Sequence, residues 1–315
     1  MHLIIACAAR PSDGGRAAPS PTPPALDALV ARWAEVRRDS GDDDSLSPPH
    51  ERAMATALGL HGADGCLPWA AHLAEQDGIA VGTQAWALLT PVHCRVGNDG
   101  VHLADPDELA LSDADSRALC DAARPLFDAE GVTLVWGAAL RWYLSHDSLH
   151  GLACASLDRV IGRNISAWLP RQAAARPWRR LQNEVQMQWH GHPVNEAREA
   201  AGGLAVNSFW LSGCGRAQPV RGNGDVHLDR RLRGPALRGD SAAWHAAWQV
   251  LDTEAIAPLL AAGTRGDPAR LTLCGDRSAV ELAPRSRAWW QRIGDNFLPR
   301  RAVARTLLEG LCPPR

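Results

Sequence analysis

The sequence predicts an α/β protein in which helices flank a mostly parallel sheet and an α+β region interrupts that core. Three apolar runs of strand length, near Leu3, Val206 and Leu271, are each followed by turn-forming residues, as expected of buried parallel strands. Segments with helical spacing of apolar residues separate these runs, which is typical of α/β chains. The long stretch between the first and second runs instead predicts hairpins around one helix.

The length of 315 residues is enough for one large domain or two modest ones. We predict that residues 1–80 and 176–315 form the α/β core and that residues 81–175 are inserted into it. Apolar residues make up 46% of the chain and charged residues 22%, as in an ordinary folded protein. This composition excludes disorder of the whole chain.

The first eighty residues predict one strand and two helices. The run His2–Ala9 is apolar almost throughout and ends near the turn signal Asp13-Gly14-Gly15. A proline-rich link follows, and Ser47 before two prolines predicts the N-cap of the second helix. Asp42–Asp44 predicts a solvated loop, with a cation site as the alternative. The first helix is indicated by apolar residues at helical spacing, namely Leu26, Leu29, Val30 and Trp33.

The predicted insertion contains two hairpins with a helix between them. Ser112 is the predicted N-cap of that helix, Asp115 occupies the capping-box position, and Gly131 follows its end. Glycine-rich turns lie between the paired segments of each hairpin. The hairpins are predicted to pair residues 86–96 with 101–103 and residues 132–136 with 140–144.

The remaining segments alternate between helical and extended patterns. Glycine-rich sequences follow the helix predicted at 195–201 and the strand near Val206, and they end both elements. The tail from Arg285 predicts a surface helix. Abundant Arg, Gly and Asp in one segment predict a mobile loop. The predicted elements are helices at 177–189, 195–201 and 241–262, strands at 204–211 and 270–274, and a loop at 219–240.

Composition excludes several classes of function. All 33 residues counted as Lys+Arg are arginine. Without lysine the chain has no side-chain amine to form a Schiff base, and it lacks the lysine of a P-loop or of a protein kinase. The net charge of −2 gives no general attraction to nucleic acid or to anionic lipid. We therefore predict neither a nucleic-acid nor a membrane partner.

Cysteine usage and the N-terminal segment predict a cytoplasmic location. The eight cysteines are widely spaced and form neither a CxxC motif nor a Cys/His ligand cluster, so they are predicted to be reduced. The apolar opening is too short for a signal peptide, and no stretch approaches the length of a membrane span. Tryptophan supplies 13 of the 17 aromatic residues, which we interpret as core packing, with a protein-binding surface as the alternative.

The most distinctive polar pattern lies between residues 192 and 215. Asn195 is placed to cap a helix that displays Arg198, and Asn207 lies inside an apolar run, where its amide needs a partner. The glycines Gly213 and Gly215 follow as a predicted loop. Such an arrangement suits the binding of an anion or a carbonyl group, and a purely structural role for Asn207 has equal weight.

Two strand ends offer carboxylates. Asp276 follows the strand near Leu271 at Gly275, and Asp13 follows the first strand. Ligands of α/β proteins bind at the carboxyl ends of parallel strands, where two carboxylates could share a cation. The alternative is that both aspartates cap loops.

At these residues the chain resembles known proteins. The pattern His192-Pro193-Val194-Asn195, Arg198 and Asn207-x-x-Trp210-x-x-Gly213-x-Gly215 is similar to the middle of the archaeal-type cofactor-independent phosphoglycerate mutases, of the alkaline phosphatase superfamily. Nearly the whole chain resembles the RpfE-type bacterial regulatory proteins. The motifs that carry this second resemblance begin at Leu46, Leu157 and Leu181. The resemblance implies a phosphatase-like sheet.

The chain departs from the mutase pattern where metal ligands are expected. The first strand runs into Cys7-Ala8-Ala9-Arg10 where that family has a metal-binding Asp-Gly, and Arg277 stands at the position of a ligand histidine. A guanidinium places permanent positive charge where the cation would sit. The resemblance therefore implies that no conventional two-metal site forms at Asp276 and Arg277, and that Arg277 could bind an anion directly.

The predicted function is that of a cytosolic regulatory or sensor protein, derived from a phosphoglycerate-mutase-like ancestor, without a cofactor, a metal or metal-dependent catalysis. One alternative is an active metal-dependent phosphoryl-transfer enzyme of the mutase or phosphatase type with a rearranged site. The other is a scaffold that binds a protein partner. The predicted ligand is a small phosphorylated or carboxylate compound, bound by Asn195, Arg198, Asn207, Gly213, Gly215, Asp276 and Arg277.

Overall fold

The computed structural model describes residues 1–9, 23–222, 225–285 and 303–311, which pack as two units. Unit one comprises Met1–Asp44, Pro48–Gly59 and Arg221–Arg315, and unit two comprises Ser45–Ser47 and Leu60–Val220. The predicted insertion falls inside unit two, and residues 60–80 and 176–220 pack in that unit as well. The division into a core and an insertion stays a prediction.

The described residues form strands and helices of ordinary length. The strands are β1 (His2–Ile5), β2 (Trp33–Ser40), β3 (Ala85–Val92), β4 (Cys94–Gly97), β5 (Gly100–Leu103), β6 (Thr133–Ala138), β7 (Arg141–Ser145), β8 (Ser208–Arg216), β9 (Val226–Asp229), β10 (Arg270–Cys274) and β11 (Ser278–Pro284). The helices are α1 (Pro24–Arg32), α2 (Pro49–Leu58), α3 (Trp69–Gln76), α4 (Asp113–Ala129), α5 (Leu157–Val160), α6 (Arg176–Trp189), α7 (Pro193–Ala200), α8 (Arg233–Leu237), α9 (Ser241–Leu251), α10 (Ala257–Arg265) and α11 (Val303–Gly310).

Unit one contains a five-stranded sheet of order β2-β11-β10-β1-β9. Strand β1 pairs in parallel with β10 and β9, whereas β11 is antiparallel to both β10 and β2. The α/β class is thus confirmed, but the sheet is mixed rather than mostly parallel. The reason is local: a tight turn at Asp276-Arg277 joins β10 directly to β11, and only antiparallel strands can be joined so closely.

One face of this sheet carries the core of unit one. Leu3, Ile5, Leu271 and Leu273 point to that face and pack with residues of α1, α9, α10 and α11. On the opposite face, α2 packs over Ile4 and its neighbours, where Ala53, Met54 and Ala57 contact the strands. Among the residues that the structure describes, one short helix covers this second face and leaves part of it open.

Helix α1 takes its N-terminal cap from a distant residue. Its N-cap is Pro23, which provides no side-chain hydrogen bond. Instead, the buried carboxylate of Asp252 accepts bonds from the backbone N–H groups of Ala25 and Leu26, both at 2.9 Å. Asp252 begins a π-helical segment, Asp252–Ile256, that joins α9 to α10. The long predicted helix is therefore confirmed, with a π turn inside it.

Replacing Asp252 by alanine is expected to lower the free energy of unfolding by about 2–3 kcal/mol, because the buried Leu26 N–H and the partly buried Ala25 N–H lose their acceptor. Urea denaturation followed by circular dichroism measures the change. The matched control is Thr253→Ala, at an exposed position of the same turn, for which we expect a change below about 0.5 kcal/mol. Equal effects of the two variants would show that the remote cap contributes nothing.

Unit two contains an antiparallel sheet of order β6-β7-β3-β8 and a separate β4–β5 hairpin. The predicted hairpin at 132–144 is confirmed by the β6–β7 pair. Helix α4 begins after Ser112, whose hydroxyl accepts a bond from the Asp115 N–H at 3.1 Å, as predicted. Helices α4 and α6 pack on the sheet through one large apolar cluster.

Several predicted elements are wrong in position. The strand near Val206 is β8, four residues later than predicted, and it pairs with β3 rather than with β1. The predicted loop 219–240 contains β9 and α8, and β9 completes the sheet beside β1. In the first predicted hairpin only β4 and β5 pair with each other. The N-cap of α2 is Pro48 rather than Ser47. Residues 286–302 of the predicted tail helix lie outside the described residues, and α11 is the described helix of this tail.

Core packing of tryptophan is confirmed within the described ranges, where nine of eleven tryptophans are buried. Among those same residues, no helix has the length and apolar character needed to cross a bilayer.

Candidate functional site

The predicted carboxylate site at Asp276 is a tight turn. Asp276 and Arg277 are its two central residues, and the Gly275 N–H donates to the Ser278 carbonyl at 2.8 Å. The Arg277 guanidinium lies 3.2 Å from the Asp43 carboxylate. The predicted solvated loop at Asp42–Asp44 thus pairs with Arg277.

The chain after α11 occupies the space beside this turn. A Cβ added to Gly275 would lie 2.4 Å from the carbonyl oxygen of Leu311. The Ser278 hydroxyl donates to the same carbonyl at 3.0 Å. Within the described ranges, no group of three or more His, Cys, Asp or Glu side chains is arranged to hold a metal ion. Asp13, the other predicted carboxylate, lies outside those ranges.

Asn195 does not cap a helix, in contrast to the prediction. The N-cap of α7 is His192, and Asn195 lies one turn inside, where it is 5% exposed. Its Nδ2 donates to the carbonyls of Trp189 and Val206, both at 2.9 Å, and its Oδ1 accepts from the Val206 N–H at 2.8 Å. The amide therefore joins the end of α6 to the extended segment before β8.

Asn207 lies just before β8 rather than inside a strand. Its Oδ1 accepts from the Cys94 N–H at 2.7 Å, and its Nδ2 donates to the Cys94 carbonyl at 2.9 Å. The side chain thus reproduces the two hydrogen bonds that a paired strand would make to Cys94. These bonds support the structural role that the sequence left open, and a ligand role for Asn207 stays a prediction.

Replacing Asn207 by alanine is expected to lower the free energy of unfolding by about 1–3 kcal/mol, since both polar groups of Cys94 lose their partner. Thermal unfolding with and without inorganic phosphate measures both the loss of stability and any ligand effect. A variant that loses stabilisation by phosphate while its melting temperature stays unchanged would contradict the structural role.

The side chain of Arg198 also binds backbone. Its Nε donates to the Leu204 carbonyl at 2.8 Å, and Nη2 donates to the Leu109 carbonyl. A third nitrogen lies 3.9 Å from the Asp115 carboxylate, and the side chain is 11% exposed. Asn195 and Arg198 are therefore brought together by α7, and both hold the 204–206 segment. A shared anion site with Arg277, which belongs to unit one, stays a prediction.

Gly213 and Gly215 do not form a loop, because both lie within β8. Trp86 pairs with Gly215 and Leu88 with Ser212, so β8 has one extra residue at this point, a β-bulge. Gly213 has φ +64°, which explains its glycine. A Cβ at Gly213 would lie 2.9 Å from Trp69 Cβ, and one at Gly215 would lie 2.8 Å from Pro68 Cβ. The glycines allow α3 to pack directly on the strand.

The structure shows a different candidate site, an open groove of about 640 Å³ on the second face of the unit-one sheet. Its floor is formed by side chains of β1, β10, β11 and β2, including His2, Thr272, Glu281 and Arg37. Helix α2 forms one side, and residues 266–269 before β10 contribute another part of the lining. We call this feature the sheet groove. Every described residue that lines it belongs to unit one.

Strand register places the polar groups of the sheet groove side by side. Thr272 pairs with Glu281, and Glu281 pairs with Arg37, so these three side chains form one row on the same face. His2 Nε2 lies 2.8 Å from the Thr272 hydroxyl. The Glu281 carboxylate, 12% exposed, forms an ion pair with Arg270.

Electrostatics distinguish the groups of this row. Burial lowers the pKa of His2 below its ordinary value, against an opposing effect of Glu281, so the imidazole is neutral at neutral pH. Arg37 is exposed, and among the described residues its guanidinium has neither a hydrogen bond nor an ion pair. Among the described residues of the sheet groove, the Arg37 guanidinium is therefore a cation without a partner, and the neighbouring polar groups are already paired.

Sequence reasoning missed these residues although a signal was present. His2 opens an otherwise apolar run, and Thr272 and Glu281 each interrupt an apolar strand. Alternation with period two assigns such residues to a face other than the core. What the pattern could not show is that α2 leaves this part of the face uncovered.

Fold and site together define an α/β protein with a polar groove open to solvent. No family model matches the chain, and no curated protein matches it. Among solved structures, the chain is similar to the cofactor-independent phosphoglycerate mutase from Thermoplasma acidophilum, with 14% identity, 98% of this chain and 99% of that chain covered, and a TM-score of 0.38. It is also similar to the PH0037 protein from Pyrococcus horikoshii, with 12% identity, 90% and 87% covered, and a TM-score of 0.44.

Proposed function

We propose that the chain is a cytoplasmic regulatory or sensor protein of the RpfE type that binds a small anionic molecule in the sheet groove, without metal-dependent catalysis. The observation that carries the proposal is the guanidinium of Arg37, which lines the groove and has no partner among the described residues. An arginine offers five N–H donors in a planar arrangement that matches carboxylate and phosphate groups.

The size and the other groups of the sheet groove support a small ligand. Its volume of about 640 Å³ lies within the usual range of small-molecule sites. Arg270 is paired with Glu281. The other lining carboxylates, Asp39, Asp225 and Asp267, are paired with Arg52, the N-terminal amine and Arg265, so the attraction for an anion comes mainly from Arg37. The neutral His2 adds no charge. A compact phosphorylated or carboxylate compound fits these conditions.

The arrangement supports binding rather than turnover. The Thr272 hydroxyl is bonded to His2, but Thr272 is 2% exposed, so a substrate has little access to it. The Glu281 carboxylate is held by Arg270, which disfavours its use as a base. We therefore expect ligand occupancy, and not a chemical product, to be the output of the protein.

Isothermal titration calorimetry with inorganic phosphate and with succinate tests the proposal. We expect Arg37→Gln to weaken binding of the preferred anion about 10-fold or more, as for the loss of a charge-assisted contact. The matched control is Arg38→Gln, because Arg38 lies next to Arg37, pairs across the sheet with the core-facing Val280, and is bound to Glu35 at 2.7 Å. Equal affinities for the wild type and Arg37→Gln would contradict the proposal.

We expect the purified protein to contain no stoichiometric manganese or zinc and to show no metal-dependent phosphatase or mutase turnover. Elemental analysis by mass spectrometry and a generic phosphomonoesterase assay with added metal provide the measurements. Turnover that needs metal and disappears in Asp276→Asn would contradict the proposal and favour the enzyme.

A further inference from the structure

Three cysteines from distant parts of the sequence meet in unit two. Cys214 follows the bulge in β8, Cys154 precedes α5, and their Sγ atoms are 3.7 Å apart. Cys66 lies in the loop before α3. The neighbouring Gly65 carbonyl accepts a bond from the Cys154 N–H at 3.0 Å. A Cβ on Gly215 would lie 3.6 Å from the Cys66 carbonyl. We call these three residues the thiol cluster.

The members of the thiol cluster differ in access to solvent. Cys154 and Cys214 are 3% and 0% exposed, whereas Cys66 is only partly buried. A reagent from solvent therefore reaches Cys66 first. The other thiols of this unit have different surroundings, since the partly buried Cys94 interacts with Ser208 and the buried Cys120 with Arg124.

Thiol geometry favours a bond between the two inner members. A disulfide has its sulfurs about 2.05 Å apart, so closure from 3.7 Å requires movements of about 1.7 Å in total. Rotation about χ1 of either side chain can supply a displacement of this size. The hydrogen bond with Cys154, together with burial, raises the pKa of the Cys214 thiol, and burial raises the pKa of the Cys66 thiol. Cys66 and Cys214 therefore stay protonated near neutral pH, and their reaction with an oxidant is slow.

We propose that the thiol cluster is a modification site for small-molecule disulfides, with Cys66 as the entry thiol and a Cys154–Cys214 disulfide as the product. The Cys66 thiolate attacks one sulfur of oxidised glutathione, forms a mixed disulfide and releases one glutathione thiolate. Cys154 then attacks the Cys66 sulfur and releases the second glutathione thiolate. Cys214 attacks Cys154 and releases Cys66 as a thiolate, which takes up a proton. In sum, two protein thiols and one oxidised glutathione yield one protein disulfide and two reduced glutathiones.

Exposure of the full chain to oxidised glutathione at pH 8.5, followed by alkylation in denaturant and peptide mass spectrometry, tests this proposal. We expect the wild type to lose two alkylatable thiols, to contain a linked peptide pair with Cys154 and Cys214, and to recover both thiols in dithiothreitol. In Cys66→Ser the linked pair is expected to form at least 10-fold more slowly. In Cys154→Ser we expect a glutathionyl group to remain on Cys66.

Cys120→Ser is the matched control, because this buried thiol lies outside the cluster, and it is expected to form the linked pair at the wild-type rate. Circular dichroism confirms that each variant is folded before exposure. If Cys154 and Cys214 of the wild type remain alkylatable, the proposal is overturned. It is also overturned if the linked pair forms at the same rate without Cys66.

Discussion

Replacing Asn195 by alanine is expected to lower the free energy of unfolding of unit two by about 3–5 kcal/mol. The change removes three buried hydrogen bonds and leaves both polar groups of Val206 without partners, whereas the Trp189 carbonyl keeps the bond from the His192 N–H. Each unsatisfied buried group costs about 1–3 kcal/mol, and partial relaxation of the 204–206 segment reduces the sum.

Urea denaturation monitored by tryptophan fluorescence measures this effect. Glu196→Ala, at the next and exposed position of α7, is the matched control and is expected to change stability by less than about 0.5 kcal/mol. Asn195→Asp tests the chemistry, because aspartate retains an acceptor for the Val206 N–H and loses both donors. A loss below about 1 kcal/mol in Asn195→Ala would refute the structural role inferred for this amide.

The second large effect is expected for Gly213→Ala, which should destabilise the protein by about 2–5 kcal/mol. An L residue at positive φ costs about 1–2 kcal/mol, and an added methyl group in a tightly packed interior costs about 1–3 kcal/mol. Both terms apply here, since φ is +64° and the new Cβ would lie 2.9 Å from Trp69 Cβ and 3.1 Å from the Ala70 nitrogen.

Gly202→Ala separates the two terms. Gly202 also has a positive φ, of +77°, but nothing lies within 4 Å of an added Cβ. We expect this control to lose only about 1–2 kcal/mol, the contribution of the backbone conformation. If the two variants lose the same stability in urea denaturation, close packing of α3 on the bulge does not contribute, and the role assigned to this glycine is wrong.

Elements whose signals are local could be predicted from the sequence. The cap of α4 at Ser112 and the β6–β7 hairpin depend on residues close in sequence, and both are confirmed. Strand β8 depends on distant contacts instead. The segment 204–206 is apolar or small and lies in the predicted strand, but it is an extended connection held by α7. The sequence pattern around the glycines of β8 predicts a loop. Their actual role is to allow contact with α3, which lies far away in the sequence, so the local pattern cannot indicate it.

The candidate site shows the same division. The polar residues of the sheet groove interrupt apolar strands, so their separation from the core could be predicted from period two. Their exposure to solvent could not be predicted, because it depends on how much of the sheet α2 covers. Strand β9 is a similar case: its four residues lie in an Arg- and Gly-rich segment and form a strand by pairing with β1.

The strand order of unit one constrains when this unit can fold during synthesis. Strands β1 and β2 are not neighbours, since β10 and β11 lie between them and β9 borders β1 on its other side. All three of these partners come from residues 226–284. At a ribosomal rate of about 5–20 residues per second, the two N-terminal strands wait roughly 10–50 s for their partners. The edges of β1 and β2 are then open to other chains, so we expect nascent chains halted before residue 226 to depend on chaperones for solubility.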